Sequence, residues 1–406
     1  MEDKNLKGNI GEDFVNQIAY KSLLKYWCYP NPIDEKGDKK EICDLLVLFK
    51  NICIIISVKN YNFDGNYERY NRKTVEKAVK QIFGAERKLF NHYKNICLKH
   101  PDREIEIFDK NKYNSIFRIV VNLGECVEKY NPAIISENDK FVTIFNKDTF
   151  ELLLDELDTI SDFTKYLIQR EIFVRTYDEM HWLNNEKDIF ALYLKNGKTL
   201  ISENPDISKS GMIIVDIDGE WDRFCEEYKT HIIKRKTANR GSYLFDKVLE
   251  KQLTKVTNGN LLAQEFLSLD RFERRMFSDQ FSKFLSLYDK EKIDTEAFRY
   301  FEFDDYGVVF FYYSPDYVNS YFPGHGLQTA MIGHALNTNY SRRRMLGVGV
   351  TSEMEQIIFK FIDFTTPIEN AVLEQAQQTM KELGWFTNLQ FRHHSESEFP
   401  MYERKF

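Results

Sequence analysis

Residues 41–59 read Glu41-Ile-Cys-Asp44-Leu-Leu-Val-Leu-Phe49-Lys50-Asn51-Ile52-Cys-Ile-Ile-Ile-Ser57-Val58-Lys59. Two short aliphatic, β-branched runs flank the polar pair Lys50-Asn51, the pattern of a buried hairpin. An acid opening the first strand and a lysine closing the second come to the same edge of such a hairpin. A partly buried carboxylate beside an ammonium is costly unless it performs a task, so Asp44 and Lys59 are candidate site residues.

Working outward, Ile10, Phe14, Val15, Ile18, Leu23 and Leu24 recur at helical spacing and predict an amphipathic helix over 8–24. Pro30, Pro32 and the charged run 34–40 predict a loop before the hairpin. After it, Val75, Ala78, Val79, Ile82, Ala85 and Leu89 share one face of a helix spanning 71–93. Strands are predicted at 105–109, 116–122 and 141–145. Helix, hairpin, helix and strand make an α/β unit with a small mixed sheet flanked by helices, ending near residue 146. Residues 147–170 read as a helical connector. Residues 171–406 read as a second α+β domain that senses a signal, binds a partner or selects a substrate. Its predicted strands are 189–195, 211–217, 307–313, 346–350 and 357–363. Its predicted helices are 219–230, 242–256, 260–290, 325–336 and 368–382.

The order Gly8-Asn-Ile-Gly11-Glu12 on a helix, Asp44 and Lys59 on paired strands, and Gln81 on the next helix resembles the PD-(D/E)XK nuclease superfamily. The Mrr-like and Holliday-resolvase-like branches are the nearest in pattern, over roughly residues 8–125. The resemblance implies a restriction-endonuclease-like fold and magnesium- or manganese-dependent hydrolysis of DNA, with RNA also open as a substrate. It implies Asp44 as principal metal ligand, Lys59 at the attacking water, and Glu12 and Gln81 completing the site. The carboxylate of Glu12, the backbone carbonyl of Val58 and the carboxylate of Glu41 are the further candidate ligands. One position departs from the pattern: where the superfamily usually carries Glu, Asp or sometimes Gln two residues before the lysine, this chain has Ser57. A bacterial restriction or anti-phage role is what the resemblance implies. The alternative is a nuclease-fold subunit with weak or lost chemistry, acting as a nucleic-acid-binding or scaffold partner.

The chemistry reads the same way from the residues. Phosphodiester hydrolysis needs charge neutralised on the phosphate and a water made nucleophilic, which hard oxygen ligands and a divalent cation supply. Between Arg69 and Lys88 lie seven basic residues and two acids. Arg69, Arg72, Lys73, Lys77 and Lys80, with Tyr61, Tyr67 and Tyr70 just before or among them, form a candidate nucleic-acid surface.

The whole chain bounds these readings. Its 406 residues exceed one ordinary domain, and a net charge of −7 confines any polyanion site to a local patch. Six cysteines show neither CxxC nor zinc spacing, which suits a reducing, cytoplasmic setting. No stretch is long and apolar enough for a membrane span, so no membrane partner is expected, while a protein partner or oligomer through the second domain is. Asp216-Ile-Asp218-Gly219, Lys234-Arg235-Lys236, Arg342-Arg343-Arg344, His325, His334 and His393-His394 read as turns, solvated runs or structural histidines. Neither a P-loop nor GxSxG is present.

Overall fold

A computed structural model of the protein describes residues 10–18, 26–91, 95–124, 133–176, 186–200, 218–253, 259–291, 296–317, 320–351, 356–387 and 398. By contacts the chain divides into two compact units, Met1–Lys229 and Thr230–Phe406.

The first unit is built on the hairpin of residues 45–59. Strands β2 (Leu45–Phe49) and β3 (Ile52–Lys59) pair antiparallel from Leu45 opposite Ile56 to Phe49 opposite Ile52. Lys50 turns the chain with a positive φ of 51°. β1 (Cys28–Pro30) adds an antiparallel neighbour on β2. On the other side β6 (Ser115–Asn122) and β8 (Phe141–Asn146) follow β3 in parallel, and β7 (Ala133–Ile135) closes the edge antiparallel to β8. The result is a six-stranded mixed sheet in the order β1-β2-β3-β6-β8-β7. β4 (Cys97–Lys99) and β5 (Ile105–Ile107) form a separate ribbon, so the predicted strand at 105–109 exists but lies outside the main sheet.

Helices cover both faces. Residues 10–18 form helix α1. The predicted helix at 71–93 starts earlier, as α2 (Tyr67–Asn71), runs through a π-helical stretch at Arg72–Glu76 and continues as α3 (Lys77–Phe90). Ala78, Ile82 and Ala85 pack against Cys53, Ile55 and Val120 on one face of the sheet. On the unit's other side, Phe150 of α4 (Lys147–Glu156) meets the rings of Phe14, Phe145 and Phe163. Ile54, Ile55 and Ile56 are wholly buried between these layers. Each is worth about 2 kcal/mol of apolar burial, so the strands that carry Asp44 and Lys59 are among the most firmly held of the unit.

Three predicted elements need correcting. The stretch 147–170 is two helices, α4 and α5 (Ile160–Thr176), broken where Thr159 caps the second by accepting from the Asp162 N–H at 3.0 Å. Through Phe150 and Phe163 they pack with the first sheet's core. The predicted strand 189–195 is helix α6 (Glu186–Lys195): Ile189, Phe190, Tyr193 and Leu194 are buried at helical spacing, and their aromatic and β-branched density imitates a strand. The predicted helix 260–290 divides into α10 (Gly259–Phe266) and α11 (Arg271–Glu291). The predicted strand 211–217 lies outside the described residues. Between α6 and α10 come α7 (Glu220–Glu227), α8 (Lys229–Ala238) and α9 (Arg240–Leu253).

The second unit holds a four-stranded sheet in the order β12-β11-β10-β9. β9 (Ala297–Glu302), which the sequence pattern did not predict, pairs antiparallel with β10 (Gly307–Tyr312). Helix α12 (Phe322–Asn337) connects β10 to its parallel neighbour β11 (Arg344–Val350), and β12 (Ile357–Asp363) returns antiparallel. α12 buries Leu327, Ala330 and Met331 against Val309, Phe311 and Met345. Helix α13 (Asn370–Glu382) follows β12, while Phe277 of α11 stacks edge-on to Phe310. Among the described residues no helix is long and apolar enough to cross a membrane.

Candidate active site at the edge of the first sheet

The antiparallel register places Asp44, one step beyond Leu45, opposite Ser57. Period-two alternation then sends Ser57 and Lys59 to the same face as Ile55, the face that α3 covers. Three donors converge on one carboxylate oxygen. Asp44 Oδ2 accepts from the Ser57 hydroxyl at 2.9 Å, from the Val58 N–H at 2.6 Å and from Lys59 Nζ at 3.4 Å. Lys59 Nζ also donates to Ser57 Oγ and to the Val58 carbonyl, each at 2.9 Å. Ser57 therefore stands between carboxylate and amine, donating its one O–H to Asp44 and accepting from Lys59. The side chains of Lys59 and Asp44 remain 14% and 26% exposed, so the pair is desolvated yet open at the sheet edge.

Electrostatics single out two neighbours. Burial holds the Lys59 amine below its ordinary range despite Asp44, and the nearby Lys77 charge pushes the same way. Burial, followed by the Asp44 charge, raises the Glu41 carboxyl above its ordinary range; Lys59 opposes this and Glu12 adds to it. The Glu41 and Asp44 carboxyls lie within hydrogen-bonding reach of each other. Gln81 Oε1 sits 3.5 Å from Ser57 Oγ.

Of the residues singled out in the sequence, Asp44, Lys59, Glu41, Gln81 and Lys77 thus meet at one edge. Glu12, exposed on α1, acts there through its charge on Glu41. The Val58 carbonyl is present but carries the Lys59 hydrogen bond. The donor set fits a hard divalent cation, because magnesium is commonly held by one or two carboxylates together with waters and substrate phosphates. Asp44 and Glu41 supply such a pair. Among the described residues no group of three or more acidic, histidine or cysteine side chains is arranged to hold a metal.

The proposed basic surface is divided. Arg72, Lys77 and Lys80 are exposed along α2–α3. Arg69 pairs with Asp64 at 3.3 Å, and Lys73 donates to the Tyr61 hydroxyl at 2.8 Å with its ammonium 4.3 Å from that ring's centre. The π-helical stretch between α2 and α3 shifts the angular phase of Arg69 relative to Lys77, which helical spacing in the sequence does not reveal.

Two features escaped the sequence reading. Ser57 reads there as a lost ligand, whereas its hydroxyl is the link that holds Lys59 to Asp44. Asn122 is the other: it lies in register with Lys59 on β6, is 8% exposed, and its Oδ1 accepts no hydrogen bond among the described residues. A polar residue ending the apolar run Ile119-Val-Val-Asn122 is the signal that could have marked it.

Most of the remaining motifs are structural or solvent-exposed, or lie outside the described residues. Arg342 donates to the Phe303 carbonyl, and Arg344 pairs with Glu265. Arg235 is buried while Lys234 and Lys236 are exposed. Cys28, Cys43, Cys53 and Cys97 are free and buried, as expected of small apolar fillers. Asp216 and His393-His394 fall outside the description. No protein-family model, no curated protein and no solved structure matches the chain.

Proposed function

We propose that the first unit is a PD-(D/E)XK-like nuclease domain of restriction-endonuclease-like fold that hydrolyses phosphodiester bonds in DNA with magnesium or manganese. The observation that carries this reading is the convergence of Asp44, Glu41, Ser57 and Lys59 on one open sheet edge beside Lys77. Asp44 and Glu41 would hold the cation, which supplies charge neutralisation and a more acidic water. Lys59 is tethered by Ser57 and the Val58 carbonyl, so its amine is oriented before substrate arrives and can donate to a phosphate oxygen or to the attacking water. Lys77 and Lys80 would lie along the nucleic-acid backbone. A role in restriction or anti-phage defence, within the cytoplasm, extends the same resemblance, with the second unit selecting substrate, trigger or partner.

A second reading, a nuclease-fold scaffold without chemistry, draws on the neutral Ser57 at a position where an acid would strengthen the cation site. Cleavage of plasmid, single-stranded DNA and RNA with magnesium or manganese separates the two. Asp44→Asn and Lys59→Met should each lower cleavage by about 10²–10⁴-fold. Equal cleavage by all three proteins would overturn the nuclease reading. A folded wild type that neither cuts nor gains thermal stability from either cation would favour the scaffold.

A further inference from the structure

In the second unit a cleft of about 560 Å³ opens at the amino end of α12, lined by residues of α12, β12 and α13. Lys360 of β12 enters it half-buried, donating to the Gly324 carbonyl at 2.9 Å and to Gln328 Oε1 at 2.6 Å. Both acceptors are neutral. Among the described residues no carboxylate pairs with this ammonium, and burial depresses its proton affinity with no opposing charge. Of the three N–H groups of a lysine, one remains for an occupant. A desolvated cation without a counter-ion, on the wall of a cleft, is a seat for an anion.

The rest of the lining says what the anion is attached to. A bare anion would leave most of this volume empty. Tyr321, at the lip, is 98% exposed, so its ring gives nothing to the fold and is free to stack on a flat partner. Gln328 has its oxygen engaged and so offers amide N–H groups, and His325 and Gln375 add polar contacts. No acidic residue is among those lining the cleft.

We propose that this cleft binds a phosphorylated aromatic-ring compound of mononucleotide size, with its phosphate on Lys360 and its ring against Tyr321. The site lies in the second unit and stands independently of the nuclease reading of the first.

Titration calorimetry on the full chain tests it, using the four common 5′ nucleoside monophosphates and inorganic phosphate as probes. At least one monophosphate should bind saturably, and more tightly than phosphate alone. Lys360→Met should weaken it by about tenfold or more, the weight of one charge-assisted hydrogen bond. Tyr321→Ala should weaken it by about fivefold, the weight of one stacked ring, and leave phosphate binding unchanged. Absence of saturable binding up to about 10 mM, weaker than any working affinity, would overturn the proposal. So would phosphate binding as tightly as the monophosphates, or wild-type affinity in both variants. Tyr321 is fully exposed and its replacement leaves the fold intact, so that variant decides alone if Lys360→Met melts early.

Discussion

Two ion pairs in the first unit, Lys59–Asp44 and Arg170–Glu186, show how differently the same chemistry can be installed. Arg170 of α5 and Glu186 of α6 are both fully buried. The guanidinium spans both carboxylate oxygens at 2.5 and 2.8 Å, and the Tyr166 hydroxyl adds a third donor at 2.6 Å. That pair is closed to water and to substrate and fixes two helices. At Asp44 every donor falls on one oxygen, a neutral hydroxyl is interposed, the edge stays open, and Lys59 and Glu41 are both pushed toward their uncharged forms. A closed pair carries structure; an open one with displaced proton affinities is equipped to handle a charged visitor.

The sharpest way to break this contrast is to remove one partner from each pair. Glu186→Ala strands a buried guanidinium and should cost about 3–5 kcal/mol in urea unfolding. Asp44→Asn should cost about 1 kcal/mol, because the partly solvated edge can rehydrate. Comparable losses at both sites would erase the distinction. Ser57→Ala comes next: it withdraws the acceptor from Lys59 and the hydroxyl donor from Asp44 and should destabilise by about 1 kcal/mol. If the bridge orients the amine, cleavage should fall more steeply than stability does.

The smaller effects have signs that the electrostatics dictate. The folded Lys59 amine sits below its ordinary value of 10.5. Its charge therefore costs stability at neutral pH, and the cost fades as pH climbs from the folded value toward the ordinary one. Lys59→Met should consequently gain stability at pH 7 and lose that gain on approaching the ordinary lysine range, as followed by unfolding at several pH values. Glu41 is the opposite case, an acid raised above its ordinary 4.5. Its contribution to stability falls as pH rises from the ordinary value through the raised one. Glu41→Gln should match wild type in acid and exceed it at neutral pH in melting temperature, by a small margin because Glu41 is exposed and solvent screens its charge. A wild-type advantage at neutral pH would contradict the carboxyl pairing.

The hairpin was legible because its aliphatic runs admit little but buried strands, and its register then fixed Asp44, Ser57 and Lys59 on one edge. α3 was legible from its apolar stripe, and β10, β11 and β12 from their Val-, Ile- and Phe-rich runs. The sequence could not show which face Glu12 would reach, because that depends on how α1 packs. Nor could it place Asn122, 63 residues beyond Lys59 in sequence and a neighbour only through the parallel register of β6. α6 was misread because dense aromatic residues suit either a strand or a buried helix, and burial from several sides weakens the helical period.

The hairpin also bears on the order in which the protein can be made. Ser57 and Lys59 lie 13 and 15 residues beyond Asp44, so a single tight turn at Lys50 brings the three together. Closing such a short loop takes well under a microsecond, and a hairpin forms within about 10 µs. Gln81 and Asn122 must wait for α3 and β6 to dock. The acid, the hydroxyl and the amine are thus assembled within one hairpin, early on any folding route that begins with it. Docking of α3 and β6 then brings the rest of the site to them.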